Sequence, residues 1–155
     1  YGGHPMACGF SLKNSDLKPF LKSMSDLADT AFRGLDLKPQ INIDCLLEFS
    51  EISVELVDGL DVLKPYGQDN PQPIFLSENI QVLDKINMGM TGQHVKLRLK
   101  SDNSSIVSAI GFNQSDKWEK LIPGDSISIV YNLDINEFNG RRDSQIKIID
   151  IRKND

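Results

Sequence analysis

The chain has 155 residues, 39% of them hydrophobic and 25% charged, the balance of a folded protein with room for one ordinary domain or two small ones. No run of about 18 apolar residues occurs and no basic stretch followed by an apolar one opens the chain, so neither a membrane span nor a membrane partner nor a secretory signal is expected, and a cytoplasmic setting is the expectation. The net charge of −5 is uneven: residues 1–63 carry five basic and ten acidic side chains, residues 64–155 carry twelve of each, so acidity counts against an anionic partner only over the first part.

The chain begins on Tyr1 rather than methionine, and we read it as a fragment of a longer protein. Gly2 and Gly3 tolerate positive φ and present no Cβ, so their N–H groups can approach a phosphate while His4 adds a donor or a proton. An ordinary tight turn would use the same residues. Ala7–Leu12 reads as a short buried strand, and Asn14, Ser15 or Asp16 as the cap of a helix. Leu17, Phe20, Leu21, Met24, Leu27, Ala28, Ala31 and Phe32 then recur at helical spacing up to Gly34, a stripe expected in the core. Residues 41–47 read as a second strand, and Ser50 with Ser53, followed by Val54, Leu56, Val57, Leu60 and Leu63, suggests a second helix ending before Pro65.

Three prolines and a glycine between Lys64 and Pro73 exclude helix and central strand, leaving a rigid linker or an ordered loop. Beyond it the period becomes alternating. Strands are expected at 80–86, 93–100, 105–112, 126–135 and 143–152, with a helical turn over 115–122 between the third and fourth. Five strands with one helix after the third is the element order of an OB-fold barrel. The class is therefore α+β: a small strand-helix-strand-helix unit over 1–63, a Pro/Gly-rich linker over 64–76, and a five-stranded OB-fold β-barrel over 77–155.

In the second barrel strand Val95, Leu97 and Leu99 point one way and His94, Lys96, Arg98 and Lys100 the other. Same-face neighbours lie about 6.6 Å apart, close to the phosphate spacing of an extended single strand, so Lys96, Arg98 and Lys100 form a candidate phosphate track. A solvated strand edge made unattractive for pairing would look the same. Phe138, between strands and beside Arg141 and Arg142, is the best candidate for an exposed stacking platform. Phe112 and Tyr131 are expected in the core, and Trp118 as a plug at the barrel bottom. Cys8 and Cys45 lack metal-ligand spacing and are expected to be buried, reduced thiols. No grouping of histidines and carboxylates, no nucleophile motif and no P-loop occurs, so no catalytic residue and no metal ligand is assigned.

Three segments together resemble one family. Gly2-Gly3-His4 followed by Met6-Ala7-Cys8-Gly9-Phe10-Ser11-Leu12 resembles the GGH motif of the DHH-associated domain of DHH phosphoesterases, with Cys8 where that family more often has alanine. Pro65-Tyr66-Gly67-Gln68-Asp69-Asn70-Pro71-Gln72-Pro73-Ile74-Phe75 resembles the P-[FY]-G-x-x-N-P-x-P-x-F signature of the RecJ family of single-strand exonucleases. Gly92-Gln93-His94-Val95-Lys96-Leu97, Phe112-Asn113 and Asn136-Glu137-Phe138-Asn139-Gly140 resemble the OB domain that comes next there. The resemblance implies the end of a DHH-associated domain joined to an OB domain, within a 5′-to-3′ single-stranded-DNA exonuclease of repair and recombination. It also implies substrate contacts for Gly2, Gly3 and His4, with single-stranded DNA, the upstream catalytic DHH domain and repair proteins as partners. Manganese or magnesium would be held by that upstream domain, not by these residues, and the fragment alone is expected to be inactive. The barrel acting as a protein-interaction or architectural module stays open as the alternative.

Overall fold

A computed structural model describes residues 1–102 and 106–154, and its contacts divide the chain into two units, Tyr1–Ile41 and Asn42–Asp155. In the first, β1 (Gly2–His4) and β2 (Ala7–Gly9) form an antiparallel hairpin in which Gly2 faces Gly9, Gly3 faces Cys8 and His4 faces Ala7. A 3-10 turn at Asn14–Asp16 leads into α1 (Leu17–Ala31), and none of the three expected capping side chains bonds to the helix backbone. The stripe expected in the core is not buried: Leu21 is 57% exposed and Leu27 62%, and no residue of α1 is buried. A two-stranded hairpin and one helix have too little surface to cover such a face. Phe10, whose ring centroid lies 4.8 Å from that of Phe20, packs onto it as an aromatic pair.

The second unit begins before the barrel. Residues 42–63, grouped by the sequence with the leading segment, belong instead with the barrel. The expected strand over 41–47 is reduced to β3 (Cys45–Leu46), which runs parallel to the start of β4 (Phe75–Met88). The Oγ of Ser53 accepts the Leu56 N–H at 3.2 Å, capping α2 (Val54–Gly59) as its spacing predicts. Phe49 and Val57 enter the core there. The proline-rich segment is an ordered loop within this unit and not a joint between units. Asn70 donates to the carbonyls of Leu63 (2.7 Å) and Pro65 (3.0 Å), Gln72 to that of Leu133 (2.7 Å), and Asn132 to that of Pro73 (2.7 Å). These side chains supply partners to backbone that prolines leave without a ladder.

The barrel closes in the order β4, β5 (His94–Lys100), β6 (Val107–Gly111), β8 (Arg141–Lys153), β7 (Ser126–Phe138), with β7 pairing back to β4. This is the five-stranded OB arrangement expected. The β6–β8 seam is parallel and short, Ala109 facing Ile146 and Ile110 facing Lys147. Val95, Leu97, Leu99, Ala109, Ile127, Ile129, Tyr131 and Ile146 are completely inaccessible inside it. Each fully buried aliphatic side chain contributes about 1.5–3 kcal/mol relative to exposure. Asn139 and Gly140, at φ 51° and 74°, form the two-residue turn joining β7 to β8, so both strands run further than expected.

Three expectations change at the barrel's lower end. Ser105 lies outside the described residues, and the third strand starts at Val107. Its inward residues are Val107, Ala109 and Gly111, and Phe112, expected in the core, lies on the outward side with Ile106 and Ile110. The reason is Trp118, which plugs the barrel as expected but lies so close that a Cβ on Gly111 would sit 2.0 Å from its ring. Residues 115–120 form turns rather than a helix; Trp118, Glu119 and Leu121 offer their carbonyls to the ammonium of Lys85 at 2.6, 2.9 and 3.2 Å. Lys85 reaches them because the register of β4 shifts between Val82 and Asp84. Both cysteines are exposed, Cys8 on the uncovered hairpin and Cys45 on the two-residue β3. Among the described residues no helix is long and apolar enough to cross a membrane.

Candidate nucleic-acid interface

Because Val95, Leu97 and Leu99 point inward, the alternation of β5 sends His94, Lys96, Arg98 and Lys100 to the outer face. Residues directly opposite on neighbouring strands share that face, so the ladders define its rows. Lys96 lies between Ile86 of β4 and Ile110 of β6, and Arg98 between Asp84 and Ser108. Lys100 lies beside Gln81, and His94 beside Met88. Among the described residues Lys96, Arg98 and Lys100 form no ion pair, whereas Lys147 on β8 is held by Asp134. Burial pushes the Asp134 carboxyl up, and the hydrogen bonds from Lys147 and the Ile135 N–H outweigh it, leaving the group below its ordinary range.

At one end of the row Phe112 is half exposed, its ring centroid 5.4 Å from that of His94 at an interplanar angle of 72°. The Nδ1 of His94 accepts the Asn113 N–H at 3.0 Å, which orients the imidazole. Ile86 and Ile106 are also about half exposed. The outer face therefore carries apolar side chains on both sides of its cations. The sequence missed this because the register shift in β4 and the inward turn of Gly111 are needed to bring out Ile86, Met88 and Phe112. The one readable signal was the pair of small residues, Ala109 and Gly111, opposite the only tryptophan.

Lys96 and Ser108 also line a groove of about 480 Å³ where β6 and β8 separate, together with Ile52, Asn136, Asp143 and Gln145. At the tip of the β7–β8 hairpin, Phe138 and Arg141 face each other across the turn and both are exposed, Phe138 at 69%. Arg142 is not available in the same way: its guanidinium meets the Asp58 carboxylate at 2.8 and 3.2 Å, raising the arginine and lowering the aspartate from their ordinary ranges. Gly2, Gly3 and His4 lie in the other unit. They form extended strand without positive φ, where the sequence suggested a turn. The place of Gly3 is explained by the neighbouring strand: a Cβ there would come within 2.9 Å of the Cys8 Cβ. His4 is exposed, its Nδ1 accepting the Met6 N–H at 3.4 Å.

Among the described residues no group of three or more His, Cys, Asp or Glu side chains converges to hold a metal ion. What the barrel face offers is binding: cations in a row, apolar surface beside them, and a hairpin at the edge.

The family model described as the RecJ OB domain matches residues 43–150. The chain is 34% identical over 150 residues to the single-stranded-DNA-specific exonuclease RecJ of Bacillus subtilis, covering 97% of this chain and 19% of that protein. It is 28% identical over 149 residues to the RecJ of Haemophilus influenzae, covering 96% and 26%. A crystal structure of RecJ in complex with Mn2+ from Thermus thermophilus superposes with a TM-score of 0.74 at 25% identity, covering 99% of this chain and 22% of that one. The chain thus spans about a fifth to a quarter of the length of these relatives.

Proposed function

The chain belongs to the RecJ OB domain family, and from that premise we propose that it is the single-stranded-nucleic-acid-binding portion of a RecJ-type 5′-to-3′ single-stranded-DNA exonuclease acting in DNA repair and recombination. The observation that carries the reading is the row of cations on the outer face of β5, Lys96, Arg98 and Lys100, without ion partners among the described residues and beside exposed apolar side chains. A polyanion whose bases are unpaired satisfies both features at once. Hydrolysis, with the manganese or magnesium it requires in such enzymes, belongs in this reading to the catalytic domain of the longer protein. The described residues bring no donor set together for that metal. The role of this chain is then to hold the strand, with further contacts from Arg141 and Phe138 at the hairpin tip and from Gly2, Gly3 and His4 in the first unit.

Fluorescence anisotropy with a labelled oligonucleotide tests this directly. Binding is expected to weaken with salt, with a slope of about 0.7 per phosphate neutralised on a single strand. Replacing Lys96, Arg98 and Lys100 together by glutamine is expected to lower that slope by about 2 and to weaken all sequences alike. Absence of binding at low salt would overturn the reading and favour the alternative, a module that contacts protein. The net charge of −5, concentrated in the first 63 residues, is the feature that suits that alternative.

A further inference from the structure

We infer that the base of the barrel beside Trp118 is a phosphate-binding site, set apart from the cation row of β5 and built around the indole N–H. It goes beyond the strand-holding role above and stands without it, since none of Lys96, Arg98 and Lys100 lines it.

The site starts from a donor without an acceptor. Trp118 is 5% exposed, and its Nε1 is the one buried side-chain nitrogen or oxygen among the described residues that has no hydrogen-bond partner. Buried donors are nearly always paired, because an unpaired one has given up its bond to water for nothing. The ring is not free to turn: its Cζ3, Cη2 and Cε3 edge packs on Gly111, where a Cβ would lie 2.0, 2.6 and 3.1 Å from those atoms. Nε1 lies across the ring system from Cζ3 and is therefore turned away from Gly111. The carbonyls of Trp118, Glu119 and Leu121 in the same turn already accept the ammonium of Lys85. Trp118 lines a cavity of about 150 Å³ that Gly111 does not reach, together with Leu121, Ile151, Lys117, Lys120 and Lys153.

Charge selects the occupant. Lys117 is paired with Asp150 at 2.9 Å and Lys153 with Asp125 at 2.6 Å, whereas Lys120 is exposed and has no ion partner among the described residues. Three ammonium groups against two carboxylates leave one positive charge over, and Asp116 and Glu119 of the same turn do not line the cavity. A cation would be repelled, and an apolar group would leave Nε1 unpaired and desolvate Lys120. A phosphate offers one oxygen to the indole N–H and others to the ammonium groups, which makes each of those bonds charge-assisted. Leu121 and Ile151 lower the local dielectric and so strengthen these interactions. Free phosphate and the phosphates of a nucleic-acid strand share this chemistry.

Trp118 is the only tryptophan of the chain, so its indole N–H gives a single proton resonance that reports on the site. Sodium phosphate titrated into the full chain is expected to move that resonance saturably, whereas sodium chloride and sodium acetate at equal ionic strength leave it in place. Lys120→Gln, an exchange on an exposed side chain that the fold tolerates, is expected to weaken the phosphate titration about tenfold. Oligothymidine added to a chain carrying Lys96→Gln, Arg98→Gln and Lys100→Gln separates the two sources. Movement of the same resonance assigns the site to the phosphates of the strand, and movement with inorganic phosphate alone assigns it to free phosphate. No movement with sodium phosphate, equal movement with acetate or chloride, or an unchanged titration in Lys120→Gln would overturn the site while leaving the cation row of β5 standing.

Discussion

Helix α1 and strand β5 carry equally clear periodic patterns, yet one leaves its apolar face in solvent and the other buries it completely. The stripe of α1 contains Leu17, Leu21, Met24 and Leu27, all more than two-fifths exposed, whereas Val95, Leu97 and Leu99 are inaccessible. Amphipathic spacing establishes that a face needs covering. It does not establish that the cover lies in the same chain. A β-strand in a barrel meets its cover in the strands that close around it, but a lone helix beside a two-stranded hairpin does not.

The largest effect expected from this contrast is on stability. Leu97→Ala should cost about 2–5 kcal/mol in urea unfolding, through lost burial and the cavity it leaves. Leu27→Ala, of identical chemistry on the exposed helix face, should cost less than about 0.5 kcal/mol. A comparable loss for both would break the comparison and show that α1 is covered in solution.

A smaller effect comes from pH. Burial pushes the Tyr131 hydroxyl up to about 12, against a hydrogen bond with Ser77 Oγ at 2.8 Å that lowers it. The folded state then keeps its proton where the unfolded chain, titrating near 10, has lost it. The stabilisation is complete below pH 10 and is withdrawn as pH rises from about 10 to 12, roughly 3 kcal/mol in all. Tyr131→Phe should remove this alkaline slope. Ser77 retains the Leu47 carbonyl as a partner at 2.6 Å, so the cost at neutral pH should stay near 1 kcal/mol, on the order of one hydrogen bond. An alkaline slope unchanged in the variant would mean that another group titrates there.

The inward parity of β5 and β7 and the Trp118 plug were legible because β5 had only one apolar parity, β7 had five apolar residues on one parity against Val130 and Phe138 on the other, and the tryptophan lay in the connection that crosses the barrel end. Strand β6 was not, because its stronger hydrophobics, Ile106, Ile110 and Phe112, lie outside, and the weaker set Val107, Ala109 and Gly111 lies inside. Size decided it: the interior beside Trp118 has no space even for a Cβ. The outward turn of Ile86 and Met88 depends on a register shift that has no residue signature. The proline-rich segment was legible as irregular, but its tie to β7 runs through Asn132 and Gln72 across some sixty positions, beyond any local pattern. Half of the candidate face was therefore readable, its cations, and its apolar half was not.

The finest contrast lies between two adjacent residues of the hairpin, Arg141 and Arg142. Identical in chemistry, they differ in what the alternation of β8 turns them toward. Arg142 shares its side of the strand with Ser144 and Ile146 and reaches Asp58 of α2, whereas Arg141 faces Phe138 and has no ion partner among the described residues. A cation already neutralised by a carboxylate releases few counterions from a nucleic acid, and an unpaired one releases its full share. Arg141→Gln is accordingly expected to lower the salt slope of oligonucleotide binding by about 0.7, and Arg142→Gln to leave it unchanged. The effect of Arg142→Gln should appear in acid instead. The Asp58 carboxyl lies below its ordinary range through the hydrogen bond from Arg142, so the pair supports the fold above the unfolded aspartate's range and loses that support as pH falls through the folded one. Equal slopes for the two variants would mean that the Asp58 pair opens on binding, and that both arginines of the hairpin reach the strand.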